Sequence, residues 1–329
     1  MSADFPSVSI VTPSFNQAAF LEIAMASVLG QEYPNIEYLV IDGGSDDGSV
    51  EIIERYADRI AYWVSEPDQG QADAINKGLR RASGEIVAWL NSDDAYMPGA
   101  IRSAADALNQ HPEAGMVCAN GLMVDAELRL LDPHTYRALS AVDLLSFEVL
   151  LQPSVFMRKS ILDEVGYLNG EYDLILDHEL WLRFAARAPI HHVDEYWALE
   201  RTHAEAKTIH RADEFVREAE DLVANARESV ELGEIVSANE DRISAGLNVF
   251  AARRLIDAGH FGDAVRRLTL AVRQHPPTLA RYWYKVIQAV LSAIGLAALF
   301  TWYRDTRRKI RFKGQQVDLN LTPVSPENR

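Results

Sequence analysis

Val8-Ser9-Ile10-Val11-Thr12-Pro13-Ser14-Phe15-Asn16 and Ile36-Glu37-Tyr38-Leu39-Val40-Ile41-Asp42-Gly43-Gly44-Ser45 decide the fold. Each is a short Val/Ile-rich run that breaks into polar residues, and a segment of helical period lies between them. The alternation continues, predicting further strands at Ile60 to Val64, Ile86 to Leu90 and Gly115 to Ala119. Stripes at Leu21, Ala24 and Val28, at Val50, Ile53 and Ala57, and at Ile75, Leu79 and Ala82 predict the intervening helices. These are βαβ units, so the expectation is an α/β fold with a mostly parallel sheet flanked by helices. Ligands of open α/β sheets bind beyond the carboxyl ends of the strands, which directs attention to the loops at Thr12, Asp42, Glu66 and Asn91.

The chain has 329 residues, enough for one large α/β domain and a smaller appendage. Its formal net charge of -16 repels a phosphate backbone, which argues against a nucleic-acid partner. Cys118 is the single cysteine, excluding an intramolecular disulfide and any zinc site of several thiolates. Met1 to Pro6 carry no basic region followed by an apolar run, so the expected location is cytoplasmic.

Two polar clusters stand at strand ends. After the second strand, Asp42 can accept from the imide N–H of uracil or thymine while Gly43 and Gly44 allow close approach of backbone to a ring. The competing reading is an Asp-Gly turn, with Asp47 or Ser49 capping the next helix. No G-x-G-x-x-G follows the first strand, so a dinucleotide fingerprint is absent. After the fourth strand, Asn91-Ser92-Asp93-Asp94 offers oxygen ligands of the kind that suit Mg²⁺ or Mn²⁺ and would let a metal bridge two phosphates. Here the competing reading is a cap, by Asp93 or Asp94, for a helix starting near Pro98.

Asp42 to Ser49, Glu66-Pro67-Asp68-Gln69-Gly70-Gln71, Asn76-Lys77-Gly78, Gly84-Glu85 and Trp89 to Asp94, in this order and spacing, resemble the family 2 glycosyltransferases. The resemblance runs from about Val8 to about Thr208. It implies a GT-A, Rossmann-like fold, a nucleoside diphosphate sugar donor, an Mn²⁺ or Mg²⁺ cofactor and inversion at the anomeric carbon. It assigns nucleotide-sugar contacts to Thr12, Pro13, Ser14, Asn16, Asp42, Gly43, Ser45 and Asp46, with uridine or thymidine diphosphate favoured through Asp42. The family's D-x-D motif matches Asn91-Ser92-Asp93, which leaves the metal to Asp93 and implies uncharged donor contacts for Asn91 and Ser92. Ile75 stands where many relatives have arginine, and Gln71, Asp73 and Lys77 are the candidates for the missing polar contact. Asp177-His178-Glu179-Leu180-Trp181-Leu182-Arg183 resembles the family segment whose first acid is the catalytic base. At a helix start, Asp177 would have its ionised form favoured by the helix dipole, with Leu180 and Phe184 facing the core. An N-cap aspartate is the alternative. His203 falls where some members place a further metal or diphosphate contact, and Gln152 and Trp181 fall on the acceptor side. The implied function is transfer to a saccharide or glycolipid hydroxyl in envelope polysaccharide or glycoconjugate assembly. The alternative is a nucleotide-sugar-binding regulatory module without turnover, suggested by Asn91 and Ile75.

This divides the chain into a catalytic domain (1–208), a helical appendage (209–280), an apolar and aromatic helix with a basic flank (281–313) and a loosely ordered tail (314–329). Within the appendage, Ala251 to Pro276 reads as a helical hairpin turning at Gly259. Beyond it, Val286 to Phe300 is nearly all apolar, framed by Tyr282, Trp283, Trp302 and Tyr303 and followed by Arg304, Arg307, Arg308, Lys309, Arg311 and Lys313. Interfacial aromatics and a basic cluster predict a helix lying in the plane of an anionic membrane surface, on the inner face of the cell membrane. Packing on the catalytic domain, or on a second subunit in a homo-oligomer, is the competing expectation.

Overall fold

The computed structural model describes residues 5–202 and 211–319. The strands β1 (Val8–Ser14), β2 (Ile36–Asp42), β3 (Tyr62–Ser65), β4 (Ile86–Trp89), β5 (Ala95–Tyr96), β6 (Met116–Val124), β7 (Leu130–His134), β8 (Phe156–Arg158) and β9 (Ile190–Arg201) form one sheet in the order β3-β2-β1-β4-β8-β6-β9-β5, with β7 paired to β6. β1, β2, β3 and β4 are parallel, as is the pair β6 and β9. β8 runs antiparallel to both β4 and β6, while β5 and β7 are antiparallel edge strands. The sheet is therefore mixed, correcting the expectation of a mostly parallel one. β5 and β7 are too short or too polar to show the period-2 signal that reveals strands.

β1 is buried along its whole length because both faces of the sheet are covered. On one face Ile10, Tyr38 and Val40 pack under α1 (Ala18–Leu29), α2 (Ser49–Arg55) and α4 (Ala100–Gln110). On the other, Val11, Leu39 and Trp89 pack with α3 (Gln71–Arg81), α5 (Ala141–Leu145), α6 (Lys159–Val165) and α7 (Leu176–Arg187). Strand order reverses direction at the β1/β4 junction, which opens a crevice at the adjacent ends of these two strands.

The remaining chain is helical: α8 (Ala212–Glu228), α9 (Gly233–Ala238), α10 (Glu240–Asp257), α11 (Phe261–Gln274), α12 (Pro276–Ala280), α13 (Trp283–Leu291) and α14 (Ala297–Phe312). Phe215, Leu222 and Phe250 join the same hydrophobic core as α7, so α8 and α10 are built onto the catalytic domain. Gly246 marks the closest approach: a Cβ there would lie 2.2 Å from the carbonyl oxygen of Ser146, just past α5. α10 and α11 form the expected hairpin and enclose a small core of their own with Leu279 and Ala289.

The helix axis from Trp283 to Phe312 is interrupted at Ile294 and Gly295, and this 30-residue segment is long and apolar enough to cross a membrane, with mean hydropathy 1.7 and 11% of its most apolar window buried. Trp283, Ile287, Ile294, Leu299, Trp302 and Tyr303 are exposed. Packing on the catalytic domain is thus limited to a few contacts. Arg307 and Arg308 pair with Asp132 on β7, and Gln316 bridges to Arg129. The described part of the tail is held against the sheet edge, where Leu319 is buried.

Candidate active site

The end of β4 is organised by a chain of amides. Gln71, the first residue of α3, donates through Nε2 to Asn91 Oδ1 at 3.0 Å. Asn91 Nδ2 donates to Gln152 Oε1 at 3.0 Å, and Gln152 Nε2 donates to the Trp89 carbonyl at 2.9 Å. An aspartate at position 91 has no N–H for Gln152, which gives the asparagine a physical reason. Both ends of the Asn91 side chain are engaged here, so its expected donor contact would have to compete with this ladder.

Below the ladder, Trp89 stacks on Trp181 of α7 with centroids 5.1 Å apart. Asp177 lies one turn before Trp181 and so shares its face. Its helix is N-capped by Ile175 without a side-chain bond, and the N–H groups of Asp173, Leu174 and Ile175, which lead into it, donate to Glu218 of α8 at 2.9–3.2 Å. A residue of the appendage thereby fixes the start of α7. Leu180 and Phe184 are fully buried as expected. The expected stabilisation of ionised Asp177 is outweighed: burial pushes its carboxyl above the usual range, against the opposing pull of the His178 N–H and Arg254. His178 points elsewhere, stacked on Phe147 and donating through Nε2 to the Leu144 carbonyl at 2.8 Å, and burial holds its pKa down at about 4.

Asn91, Gln152, Asp177, Trp181, Glu200 and Arg254 line a cavity of about 310 Å³. The Trp181 indole N–H is buried there without a partner among the described residues, leaving a donor for a bound hydroxyl. Glu200, half-buried at the end of β9, is pushed up by burial and by Asp93. Asp93 is itself half-buried, with its backbone carbonyl accepting from Arg201 Nε at 2.8 Å. Asp94 is fully buried, accepts from the Arg201 N–H at 3.0 Å and is held well above the carboxylate range by burial, Asp93 and Glu200. Neither aspartate caps α4, whose N-cap is Gly99. Among the described residues no group of three or more His, Cys, Asp or Glu is arranged for a metal. His203 lies outside the described residues.

The nucleotide-side residues form a second cluster. Asp42 is fully buried, and its two oxygens receive the N–H of Gly44 and of Ser45 and the hydroxyls of Ser45 and Ser65 at 2.6–3.1 Å. Four donors already occupy the carboxylate, so the expected pairing with an imide would have to compete with them. Thr12 is likewise buried and accepts from the Tyr38 hydroxyl at 3.0 Å, and Pro13 and Ser14 are buried within β1. Asn16 clips the two loops together, its N–H donating to Ser45 Oγ and its Oδ1 accepting from the Asp46 N–H. Asp47 accepts from the first N–H of α1, at Ala18, and also from Ser49. Asp68 Oδ2 sits over Gly43, 2.6 Å from where a Cβ would be, and the exposed Phe15 ring lies 3.2 Å from the same point. Ile75 is wholly buried, where an arginine would have no place. Lys77 is paired with Glu66 at 3.1 Å and Asp73 at 3.5 Å, which leaves Gln71 as the residue that reaches the cavity. Ser92 is buried in the turn between Asn91 and Asp93.

Glu200, Arg201, Glu218 and Arg254 were not legible as site residues. Glu200 and Arg201 carry only a weak signal, as charges inside a strand pattern; the other two sit on helices whose stripes read as ordinary packing.

The model of the family described as glycosyl transferase family 2 matches residues 9–165. An uncharacterized glycosyltransferase of Mycobacterium tuberculosis is 32% identical over 186 residues, covering 55% of this chain and 69% of that protein. The chain spans about a third of the length of two other curated relatives, at 34% and 35%. Among solved structures, a mannosyltransferase from Pyrobaculum calidifontis in complex with GDP-Man and Mn²⁺ shares the fold at TM-score 0.60 and 19% identity, covering 90% of this chain and 88% of that one. S. aureus TarS 1-349 in complex with UDP-GlcNAc does so at TM-score 0.58 and 16% identity, with 94% and 92% covered. The chain belongs to glycosyltransferase family 2.

Proposed function

We propose that this chain moves a sugar from a nucleoside diphosphate donor to a hydroxyl of a saccharide or glycolipid acceptor, with inversion, in envelope polysaccharide or glycoconjugate assembly. The observation that carries this reading is Asp177, half-buried and with raised proton affinity, in one cavity with Trp181, Gln152 and the Asn91 ladder. Asp177 takes the proton of the acceptor hydroxyl, whose oxygen attacks the anomeric carbon from the face opposite the diphosphate. The bond from that carbon to the diphosphate oxygen breaks, and the leaving group keeps the electron pair. Trp181 and Gln152 orient the acceptor, and the stacked indoles exclude water from that side.

Asp93 fits a Mg²⁺ or Mn²⁺ ion that arrives with the donor, because such ions commonly bind through one or two carboxylates plus substrate phosphates. When bound, it would supply charge stabilisation on the departing diphosphate. The relative crystallised with GDP-Man and Mn²⁺ supports the same reading. For a uridine or thymidine base, Asp68 suits the imide better than Asp42, since it is half-exposed over Gly43 beside the Phe15 ring. The exposed C-terminal helix supports a peripheral location on a membrane. Screening UDP-, dTDP- and GDP-sugars for donor hydrolysis, with Mn²⁺ and with chelator, tests the proposal. One nucleotide class should turn over only with metal, and Asp93→Ala should abolish it. Full activity in chelator overturns the metal role, and binding without turnover for every donor would favour the regulatory-module alternative.

A further inference from the structure

The appendage contributes Phe215, Phe250 and Arg254 to the lining of the cavity that holds Asp177, and Arg254 is the one Lys or Arg among the described lining residues. Arg254 of α10 lines the cavity, with its guanidinium 4.3 Å from the ring centre of Phe215 and 5.2 Å from that of Phe250. Stacking fixes the plane of the fork and leaves its N–H edge available. Among the described residues it forms no ion pair within 4.0 Å, and Asp257, Asp177 and Glu200 act on it through space. The adjacent Arg253 rests over the Tyr282 ring at 5.9 Å, and Lys285 follows one turn beyond Tyr282, bonded to Gln288 and 5.8 Å from the Tyr284 ring centre. In a chain of net charge -16, Arg254, Arg253 and Lys285 form a local group of cations, with Asp257, Asp177 and Glu200 as the carboxylates that act on Arg254. Burial, then Arg253, holds the Arg254 guanidinium below its ordinary value, and Arg253 also acts on Tyr136, another cavity residue. An oxyanion placed here would relieve that repulsion.

We propose that the acceptor carries a phosphate, which seats on Arg254 with Arg253 and Lys285 nearby while its hydroxyl meets Asp177. The inference rests on the transferase reading above and adds the acceptor's chemical class to it. Charge then orients the acceptor: Asp177 and Glu200 repel its phosphate, and Arg254 draws it to the appendage side of the cavity. Two sources share this chemistry, a lipid phosphate headgroup and a soluble phosphorylated glycan.

Calorimetry on the full-length protein, saturated with the nucleoside diphosphate identified by the donor screen, tests the idea with glycerol 3-phosphate, geranyl phosphate, glycerol and geraniol. Each phosphate should bind at least about tenfold more tightly than its neutral parent, a difference one charge-assisted contact can supply. Arg254→Gln should remove that preference, Arg254→Lys should keep part of it, and Lys285→Gln, on a separate helix, should weaken it independently. Geranyl phosphate above glycerol 3-phosphate would identify a lipid source, and equal binding a soluble one. Melting temperature and nucleotide binding of each variant establish that it is folded. Nucleotide binding with no phosphate preference, or a preference unchanged in folded Arg254→Gln, would overturn the proposal and leave Arg254 as a distant counter-charge to Asp177 and Glu200. Failure of the wild type to bind any nucleotide would instead strike the transferase reading.

Discussion

Replacing Gly246 with alanine tests whether the appendage and the catalytic domain form one cooperative unit. In a free helix interior the change stabilises by about 0.5–1 kcal/mol, because glycine loses more backbone freedom on folding. Here the new Cβ would stand 2.2 Å from the Ser146 oxygen and 2.7 Å from its carbonyl carbon and Cα, whereas ordinary contact begins at 3.4 Å. All three atoms are backbone, so no side chain can swing away. α10 must retreat by about 1 Å, and overpacking of this kind costs about 1–3 kcal/mol, or somewhat more when backbone is the obstacle. Subtracting the propensity gain leaves a net destabilisation of up to about 2.5 kcal/mol. Gly262 of α11 supplies the contrast: nothing lies within 4 Å of its Cβ position, so Gly262→Ala should be neutral or stabilising by up to about 1 kcal/mol. Urea denaturation of the two variants beside the wild type gives the comparison directly. Because Arg254 lies two turns along α10, Gly246→Ala should also lower transfer while leaving nucleotide binding in place. A Gly246→Ala protein as stable as Gly262→Ala would refute the tight docking of α10 on the catalytic domain.

Asp177→Asn should leave donor binding nearly unchanged and depress transfer by about 100-fold or more, as loss of a general base does; a wild-type transfer rate would reduce the residue to a helix-start aspartate. Since its carboxyl is raised, the acidic limb of the transfer profile should lie above the ordinary carboxylate range, and a limb at or below that range would contradict the assignment. His178 is depressed to about 4 against about 6.5 in the unfolded chain, so the unfolded state binds the extra proton between these values. Its contribution, about 3 kcal/mol, is present above pH 6.5 and is lost as pH falls towards 4; His178→Asn should flatten the stability profile across that window, and an unchanged slope would refute it. Removing residues beyond Pro277 should release the protein from anionic liposomes at low salt, and full-length protein that fails to co-sediment with them would rule out membrane docking by α13 and α14.

Strong local periodicity made much of the fold legible. The Val/Ile runs of β1, β2 and β4 and the stripes of α1 and α3 announce themselves because burial on both faces of a sheet, or on one side of a helix, demands a repeating pattern. The resemblance of Trp89 to Asp94 and of Asp177 to Arg183 likewise marked two pieces of the cavity. β5, with two residues, and β7, where Leu130 and Leu131 run into Asp132, Pro133 and His134, leave no such pattern, and the antiparallel return of β8 between β4 and β6 is a matter of chain path, not of local composition. The same holds for the site. Asp42 reads as a ligand from its place at a strand end, but only the surrounding loop shows that Gly44, Ser45 and Ser65 occupy it. Glu218 and Arg254 lie 41 and 77 residues beyond Asp177, on helices whose stripes record only that they pack. Which cavity residue each one meets is decided by the docking of α8 and α10, because hydrogen bonds and charge act through distance in space, while a sequence displays only distance along the chain.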